Sequence, residues 1–212
     1  MSYSQINIGP VKTSRKELVD IFKAWIVLSL AFAIVYAGAS LFGGEIERVF
    51  SANFVVLFLI SSITAGLGFL LHELAHKFVA QRYGCMAEFR AFDNLLYLAL
   101  GLAAAVGFIF AAPGAVMISG RVTRKENGLI SLAGPLTNYF LGMVFLILLL
   151  QLPAYGSIFQ IGFFINWWLG LFNMIPFGNF DGKKILEWSR YAWIAMVAIG
   201  IYFVFFFKPG II

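Results

Sequence analysis

The residues best suited to do chemistry in this chain of 212 residues lie together in the run His72-Glu73-Leu74-Ala75-His76. If this run is helical, the two histidines are four residues apart and lie on one face, one turn from each other. Their imidazoles can then bind a single zinc ion, and the Glu73 carboxylate can take a proton from the water on that ion. The pattern H-E-x-x-H is typical of zinc-dependent proteases.

The surroundings of this motif strengthen the metal interpretation. His72 and His76 are the only histidines in the chain, and Glu73 follows an uncharged run that begins after Arg48. An ionisable residue deep in an apolar run is costly, so we expect it to have a function. The alternative is a buried Glu73–Lys77 ion pair beside two histidines that are merely hydrogen-bonded.

Two histidines and a water leave tetrahedral zinc one protein ligand short, and Asp181 is the best remaining candidate. It is the first charged residue after the uncharged stretch 127–180. Pro176 ends or kinks the preceding helix, so the chain beyond it can be extended and can direct a carboxylate back into the membrane rather than out to water. The alternative is an ordinary surface acid beside Lys183 and Lys184.

Two asparagines are strongly polar residues in otherwise apolar runs. Asn138 follows Gly134-Pro135, and Asn173 precedes Pro176. Either side chain could bind a substrate carbonyl or stabilise the developing oxyanion. The alternative for both is a hydrogen bond between neighbouring helices.

The elements that must position these residues belong to a membrane protein. Hydrophobic residues make up 61% of the chain and charged residues only 12%, which a water-soluble enzyme of this size could not accommodate. Each gap between charged clusters is long enough for about one spanning helix, except that the long gap 127–180 must contain two. The candidate spans are residues 24–44, 52–80, 95–112, 129–151, 158–176 and 191–207. We therefore predict an all-α membrane protein with five to six transmembrane helices.

The basic residues indicate the orientation, because short cytoplasmic loops are enriched in Lys and Arg. Four basic residues place the N-terminus in the cytoplasm, namely Lys12, Arg15, Lys16 and Lys23. The basic loop at residues 121–125 is also cytoplasmic only if the segment before it turns back. We therefore predict a membrane-embedded extended hairpin around residues 113–119, enclosed by protein. A plain alternation of six helices remains the alternative.

Three patches occur in order along the chain and together resemble the site-2 protease family of intramembrane zinc metalloproteases. They are His72-Glu73-Leu74-Ala75-His76, then Gly134-Pro135-Leu136-Thr137-Asn138, then Asn173-Met174-Ile175-Pro176 followed by Asp181-Gly182.

The resemblance covers roughly residues 60–190. It implies that Asp181 is the third ligand of one zinc ion per chain and that Glu73 is the catalytic acid and base. It also implies that Asn138 and Asn173 lie near the site. The segment Ala112-Pro113-Gly114-Ala115-Val116 resembles the family's extended, membrane-embedded segment. The family commonly has a further proline between the residues that match Pro176 and Asp181, and a leucine just before the aspartate. This chain departs from that pattern, because these positions hold Gly178, Asn179 and Phe180.

These observations predict three parts of the chain. Residues 1–23 form a cytoplasmic or interfacial segment, residues 24–207 form a single metalloprotease domain in the membrane, and residues 208–212 form a short tail. We expect a multi-pass protein of the cell membrane with its active site toward the cytoplasm. The expected substrate is a transmembrane protein or peptide. The sequence does not indicate an oligomeric state.

Two other function classes remain open at this stage. In a metal-binding transporter or channel, the same ionisable residues would line an ion path, but the chain shows no internal repeat and only one deeply placed acid. A non-catalytic membrane scaffold would have to keep a costly buried charge without using it. Nucleic acid is not an expected partner, because the net charge of +5 is not arranged as a basic stretch interleaved with exposed aromatics.

Overall fold

The computed structural model describes residues 5–8, 11–109 and 114–209, and most of these residues are helical. The α-helices are α1 (Arg15–Tyr36), α2 (Ala52–Ser61), α3 (Leu67–Arg82), α4 (Asp93–Val106), α5 (Arg124–Gln151), α6 (Gly156–Phe172), α7 (Asp181–Trp188) and α8 (Arg190–Ile201). The strands are β1 (Gln5–Ile8), β2 (Val11–Ser14), β3 (Met86–Ala91) and β4 (Gly114–Ser119). A turn of π-helix, Ser62–Gly66, joins α2 to α3.

Every apolar segment predicted from the gaps between charges contains a helix, but some ends differ. The segment 24–44 is helical only to Tyr36, and the helix in the segment 95–112 ends at Val106, with residues 110–112 outside the described part of the chain. The second of these helices ends where Gly107 adopts a left-handed conformation, with φ of 72°. A glycine in this conformation is a common way for a helix to stop, and the positions of charged residues do not report it.

Three helical stretches of the described chain are long and apolar enough to cross a membrane. They are Arg15–Tyr36, Ala52–Arg82 and Arg124–Gln151. Asp93–Val106 and Arg190–Phe206 are apolar but shorter. The expectation of a helical membrane protein is therefore supported, whereas the predicted total of five to six spans is not confirmed.

The prediction of an all-α fold was incomplete, because the chain also forms two small sheets. Strands β1 and β2 pair antiparallel, with Gln5 opposite Ser14, and β3 pairs with β4. The extended chain predicted near residue 115 is strand β4, while the turn expected at Pro113 lies outside the described residues. The sheet of β1 and β2 was not predicted, because strands this short leave little periodic signal in the sequence.

The chain divides into two compact units. The first unit comprises Met1–Leu70 and Glu88–Met117. In it, helix α1 is attached to strand β3 through Glu17, which is fully buried. The Glu17 carboxylate accepts hydrogen bonds from the Thr13 hydroxyl at 2.7 Å and from the backbone N–H of Phe89 at 2.8 Å. Phe89 in turn packs against Ala24 and Leu96 in an apolar core.

The second unit comprises Leu71–Ala87 and Ile118–Ile212. Its core lies among α5, α6, α7 and α8 and contains Tyr139, Leu146, Phe163, Trp167, Met174, Ile185, Met196 and Val204. Helix α5 begins with a capping box, in which the side chains of Thr123 and Glu126 each accept from the other's backbone N–H. All residues with predicted chemistry belong to this second unit.

Candidate metal centre

Helix α3 carries the first two candidate ligands on one face, as the H-E-x-x-H spacing predicts. The Nε2 atoms of His72 and His76 lie 3.0 Å apart. His72, Glu73 and His76 are all buried, at most 8% exposed. The cluster is therefore shielded by protein, and the two imidazoles converge on a single point.

Asp181 reaches this point as the first residue of helix α7. Helix α6 ends at Phe172, Gly178 turns the chain with φ of 64°, and Phe180 is extended immediately before α7 begins. The backbone N–H of Gly182 donates to the carbonyl oxygen of Asn173 at 2.7 Å. This bond ties the start of α7 to the end of α6 and fixes the position of the Asp181 backbone.

The close approach at Gly182 requires the absence of a side chain. A Cβ built there would lie 2.2 Å from the carbonyl oxygen of Met174. The same oxygen accepts a hydrogen bond from the indole nitrogen of Trp193 at 2.8 Å, so helix α8 also holds this turn. The turn that positions Asp181 is thus held by two hydrogen bonds, one from Gly182 at the start of α7 and one from Trp193 on α8.

The three candidate ligand atoms form a small triangle. The Oδ2 atom of Asp181 lies 3.3 Å from Nε2 of His72 and 3.1 Å from Nε2 of His76. Zinc bonds of about 2.0–2.1 Å place tetrahedral ligand atoms roughly 3.3 Å apart. The triangle therefore has the size that one zinc ion would need.

The hydrogen bonds made by the two Nδ1 atoms show whether the Nε2 atoms carry a proton or a lone pair. Nδ1 of His72 lies 2.6 Å from the amide oxygen of Asn138, and Nδ1 of His76 lies 2.7 Å from the carbonyl oxygen of Ile130. Both oxygens can only accept, so both Nδ1 atoms must be the donors. In neutral imidazoles the Nε2 atoms then hold lone pairs, and these face each other and the Asp181 carboxylate. A convergence of three acceptors calls for a cation.

The charge of Asp181 agrees with a ligand role. Burial opposes its ionisation, but positive charge on the His76 and His72 rings and hydrogen bonds from them outweigh burial and lower the pKa of this carboxyl below its ordinary value. A zinc ion bound between neutral imidazoles would supply the positive charge instead and would likewise favour the carboxylate form that a ligand needs.

Gly134 provides the space for the ion. A Cβ built on it would lie 2.4 Å from Nε2 of His76 and 2.5 Å from Nε2 of His72. Any larger residue at this position of α5 would enter the volume between the ligand atoms. The sequence pattern pointed to the patch that contains Gly134, but not to this steric role.

The two asparagines named from the sequence lie in different settings. Asn138 is fully buried and contacts His72, as described above. Asn173 donates from its side-chain nitrogen to the carbonyl oxygen of Leu169 at 3.0 Å, while its own carbonyl accepts from Gly182. Asn173 thus acts on the turn that carries Asp181, and no hydrogen bond between its side chain and the three candidate ligands is recorded among the described residues.

Asn166 is the residue that the sequence analysis missed. It is fully buried on α6, and its amide oxygen accepts from the amide nitrogen of Asn138 at 3.1 Å. A strongly polar side chain in the middle of an apolar segment was the signal that could have found it.

The relatives of this chain carry names that match the site. It is 40% identical over 184 residues to a protein of Methanocaldococcus jannaschii named "putative zinc metalloprotease", covering 85% of this chain and 88% of that protein. A second protein of that organism, named a zinc metalloprotease, is 27% identical over 162 residues, or 74% of this chain and 39% of that protein. A Bacillus subtilis protein, also named "putative zinc metalloprotease", is 29% identical over 153 residues, or 59% and 66%.

No protein-family model matches the chain, and no solved structure does. The names of the three relatives indicate zinc as the cofactor, in agreement with the donor set of His72, His76 and Asp181. They do not favour the transporter or channel considered from the sequence.

Proposed function

This chain belongs to the zinc metalloproteases, and from that premise we propose that it is a site-2-type protease that hydrolyses peptide bonds of transmembrane substrates. The single observation that carries the proposal is the convergence of two imidazoles and one carboxylate in a helical, strongly apolar chain. These three side chains are buried, and their ligand atoms lie within 4.8 Å of one another.

In the proposed site, His72, His76 and Asp181 hold one zinc ion per chain. Zinc bound there would lower the pKa of its water toward about 7 and polarise the scissile carbonyl. Gly134 leaves room for the ion and for the substrate carbonyl beside it. The hydrogen bonds from the two Nδ1 atoms keep both imidazoles aimed at the centre.

Glu73 is the proposed general base and general acid. It lies directly beside His72 on α3 and is buried, so its carboxylate is shielded from bulk water. It accepts a proton as the water attacks the peptide carbonyl and then returns that proton to the leaving amine. The peptide must be locally unwound, because a carbonyl bonded within a helix is a poor target.

Asn173 is the proposed substrate residue of this mechanism. One hydrogen of its side-chain amide is donated to Leu169, and the second can be donated to the oxyanion that develops on the substrate. Its position at the turn before Asp181 supports this role, since the same turn then carries a metal ligand and an oxyanion donor.

The proposed setting is a multi-pass membrane protein with a cytoplasmic N-terminus and an active site toward the cytoplasm. Support comes from the three apolar helices and from the basic residues that cluster near both metal motifs, among them Lys77 and Lys183. Strand β4 would be the extended, membrane-embedded segment, which is tolerated at depth because its backbone pairs with β3.

The test is cleavage of a model transmembrane peptide by the purified full chain in detergent, with and without a chelator. We expect wild-type protein to cleave, the chelator to stop cleavage, and added zinc to restore it. Glu73→Gln should abolish cleavage while the protein still binds about one zinc ion, because none of the three ligands is changed. Cleavage by Glu73→Gln at the wild-type rate would reject the assigned role of Glu73.

A further inference from the structure

We propose that Asn166, acting through Asn138, determines which ring nitrogen of His72 faces the metal. The two asparagines are positioning residues for the zinc site. The inference rests on the zinc site proposed above. It goes beyond that site because it assigns a role to two asparagines that are not themselves proposed as zinc ligands.

A directed chain of three hydrogen bonds starts at a backbone group. The carbonyl oxygen of Gly162 accepts from the side-chain nitrogen of Asn166 at 2.9 Å. A carbonyl can only accept, so it fixes the Asn166 amide with its nitrogen toward Gly162 and its oxygen toward Asn138. That oxygen accepts from the Asn138 nitrogen at 3.1 Å.

The direction is then passed on to the histidine. With its nitrogen bound to Asn166, Asn138 must present its oxygen to His72, at 2.6 Å from Nδ1. Nδ1 of His72 therefore carries the proton, and Nε2 keeps its lone pair on the side of Asp181. A backbone carbonyl on α6 thus sets the tautomer of a metal ligand on α3 through two side-chain amides.

Burial makes this direction hard to reverse. Asn138 and Asn166 are both 0% exposed. Reversing the Asn138 amide would set its oxygen against the oxygen of Asn166 and its N–H groups against the N–H of His72. No bulk water reaches either group, so the mismatched polar atoms would stay unpaired, which is unfavourable in an apolar interior.

The two histidines differ in this respect. Nδ1 of His76 donates to the backbone carbonyl of Ile130, which no substitution of a side chain removes. His72 depends on side chains alone. Outer partners of metal-bound histidines typically change metal affinity by about 10–100-fold when they are lost. Substitutions in the Asn138–Asn166 pair can therefore measure how strongly zinc affinity depends on the hydrogen bond to Nδ1 of His72.

A plain structural role makes a different prediction. The Asn138–Asn166 bond also joins α5 to α6, and such bonds between helices are of modest worth. Tyr139→Phe is the matched control, since Tyr139 follows Asn138 on α5 and its buried hydroxyl donates to the carbonyl of Met196 at 3.0 Å. This variant loses a buried bond between helices but no contact with His72.

The experiment measures the zinc dissociation constant of the purified full chain in detergent, by competition with a chromophoric chelator. The variants are Asn138→Leu, Asn138→Asp, Asn166→Leu, the double variant Asn138→Leu/Asn166→Leu, and Tyr139→Phe. Helix content and thermal unfolding of each variant are recorded beside zinc binding.

We expect Asn138→Leu to weaken zinc binding about 10–100-fold. Asn138→Asp should lose less zinc affinity than Asn138→Leu, because one carboxylate oxygen still accepts from His72 although the other now opposes the oxygen of Asn166. Tyr139→Phe should lose stability without losing zinc affinity. Asn166→Leu should weaken binding by less than Asn138→Leu. The double variant should match Asn138→Leu, since residues of one chain of bonds are not additive.

Wild-type zinc affinity in Asn138→Leu would overturn the inference, and so would an equal loss in Tyr139→Phe. Additive losses in the double variant would also overturn it, because they would mean that the asparagines act separately. A wild-type chain that bound no zinc would instead reject the proposed function and this inference together.

Discussion

Single atoms decide whether this site can hold a metal. The same two histidines could form a closed pair of hydrogen-bonded rings if one Nε2 carried a proton. Here both Nδ1 atoms face oxygens that can only accept, so both Nε2 atoms are available as ligands. The identity of the residues predicts a zinc site, and the surrounding oxygens set the protonation state that zinc requires.

Gly134→Ala tests this geometry at the scale of one methyl group. The new Cβ would lie 2.4 Å from Nε2 of His76, inside the volume that the ion needs. We expect zinc binding to weaken by about 1–3 kcal/mol, the usual cost of overpacking a rigid interior. Zinc affinity is measured by chelator competition, and cleavage should fall in parallel.

Gly101→Ala is the matched control for this substitution. Gly101 also lies inside a helix, α4, but nothing is within 4 Å of a Cβ built there. Zinc binding should be unchanged, and alanine should stabilise the helix slightly. Zinc affinity that fell equally in both variants would contradict the steric role of Gly134.

At the scale of elements, the connection between α6 and α7 is what completes the site. Helix α3 alone carries two candidate ligands, and the third joins them because the turn after Pro176 places Asp181 at the start of α7. Gly182 and Trp193 hold that turn through bonds to the carbonyls of Asn173 and Met174. This turn lacks the further proline of the family pattern, and these contacts outside the motif hold it instead.

Gly182→Ala should displace Asp181 without altering any ligand. Its Cβ would lie 2.2 Å from the Met174 carbonyl oxygen, so the start of α7 must move away from α6. We expect weaker zinc binding and a lower midpoint of thermal unfolding. Zinc affinity should return only when glycine is restored at this position. Lys183→Ala, an exposed change at the next position, should alter neither quantity.

Helix α1 offers a second prediction at this scale. Glu17→Ala removes the carboxylate that pairs with Thr13 and with the Phe89 backbone, and it leaves that buried N–H without its acceptor. We expect a loss of about 1–3 kcal/mol in the free energy of unfolding in detergent. Glu17→Gln should lose less, because its side-chain oxygen can still accept from Phe89.

The control for Glu17 is Glu47→Ala, which removes an exposed acid from the same unit. A surface change of this kind normally stays within about 0.5 kcal/mol. Equal destabilisation in the two variants would mean that the buried carboxylate does not anchor the strand.

For the whole molecule, composition and charge set the environment. The chain is too apolar for water, and its three longest apolar helices match the thickness of a bilayer. In the proposed orientation, the basic residues before α1 and those before α5 lie on the same, cytoplasmic side. That orientation would require the chain between them to turn back near β4.

Cysteine labelling tests that topology. Cys85, the only cysteine, is first replaced by serine, and single cysteines are then introduced as Arg121→Cys or Glu47→Cys. Both positions are exposed. In oriented vesicles, a membrane-impermeant maleimide should label Arg121→Cys only from the cytoplasmic side and Glu47→Cys only from the opposite side. Labelling of both positions from one side would reject the extended hairpin.

Local features of the fold and site could be predicted well from the sequence. The helix through His72 and His76 depends on spacing within one element, and the apolar segments depend on the absence of charge. Strand β4 was expected as extended chain, but the β1–β2 sheet was not, because short strands leave little periodic signal. Asp181 was a candidate by ligand count and resemblance, while its approach to the histidines depended on the turn held by Gly182.

The sequence by itself determined that a candidate zinc-binding pair and an adjacent acid lie on one helix of a strongly apolar chain, because helix periodicity and hydropathy are local properties. Only the tertiary structure decided that the Asp181 carboxylate lies beside the two imidazoles, that no side chain at Gly134 fills the space between them, and that a chain of hydrogen bonds joins Asn166 and Asn138 to His72. These facts depend on distances between atoms that are far apart along the chain. Such distances follow from the packing of helices, which the spacing of residue types along the sequence does not reveal.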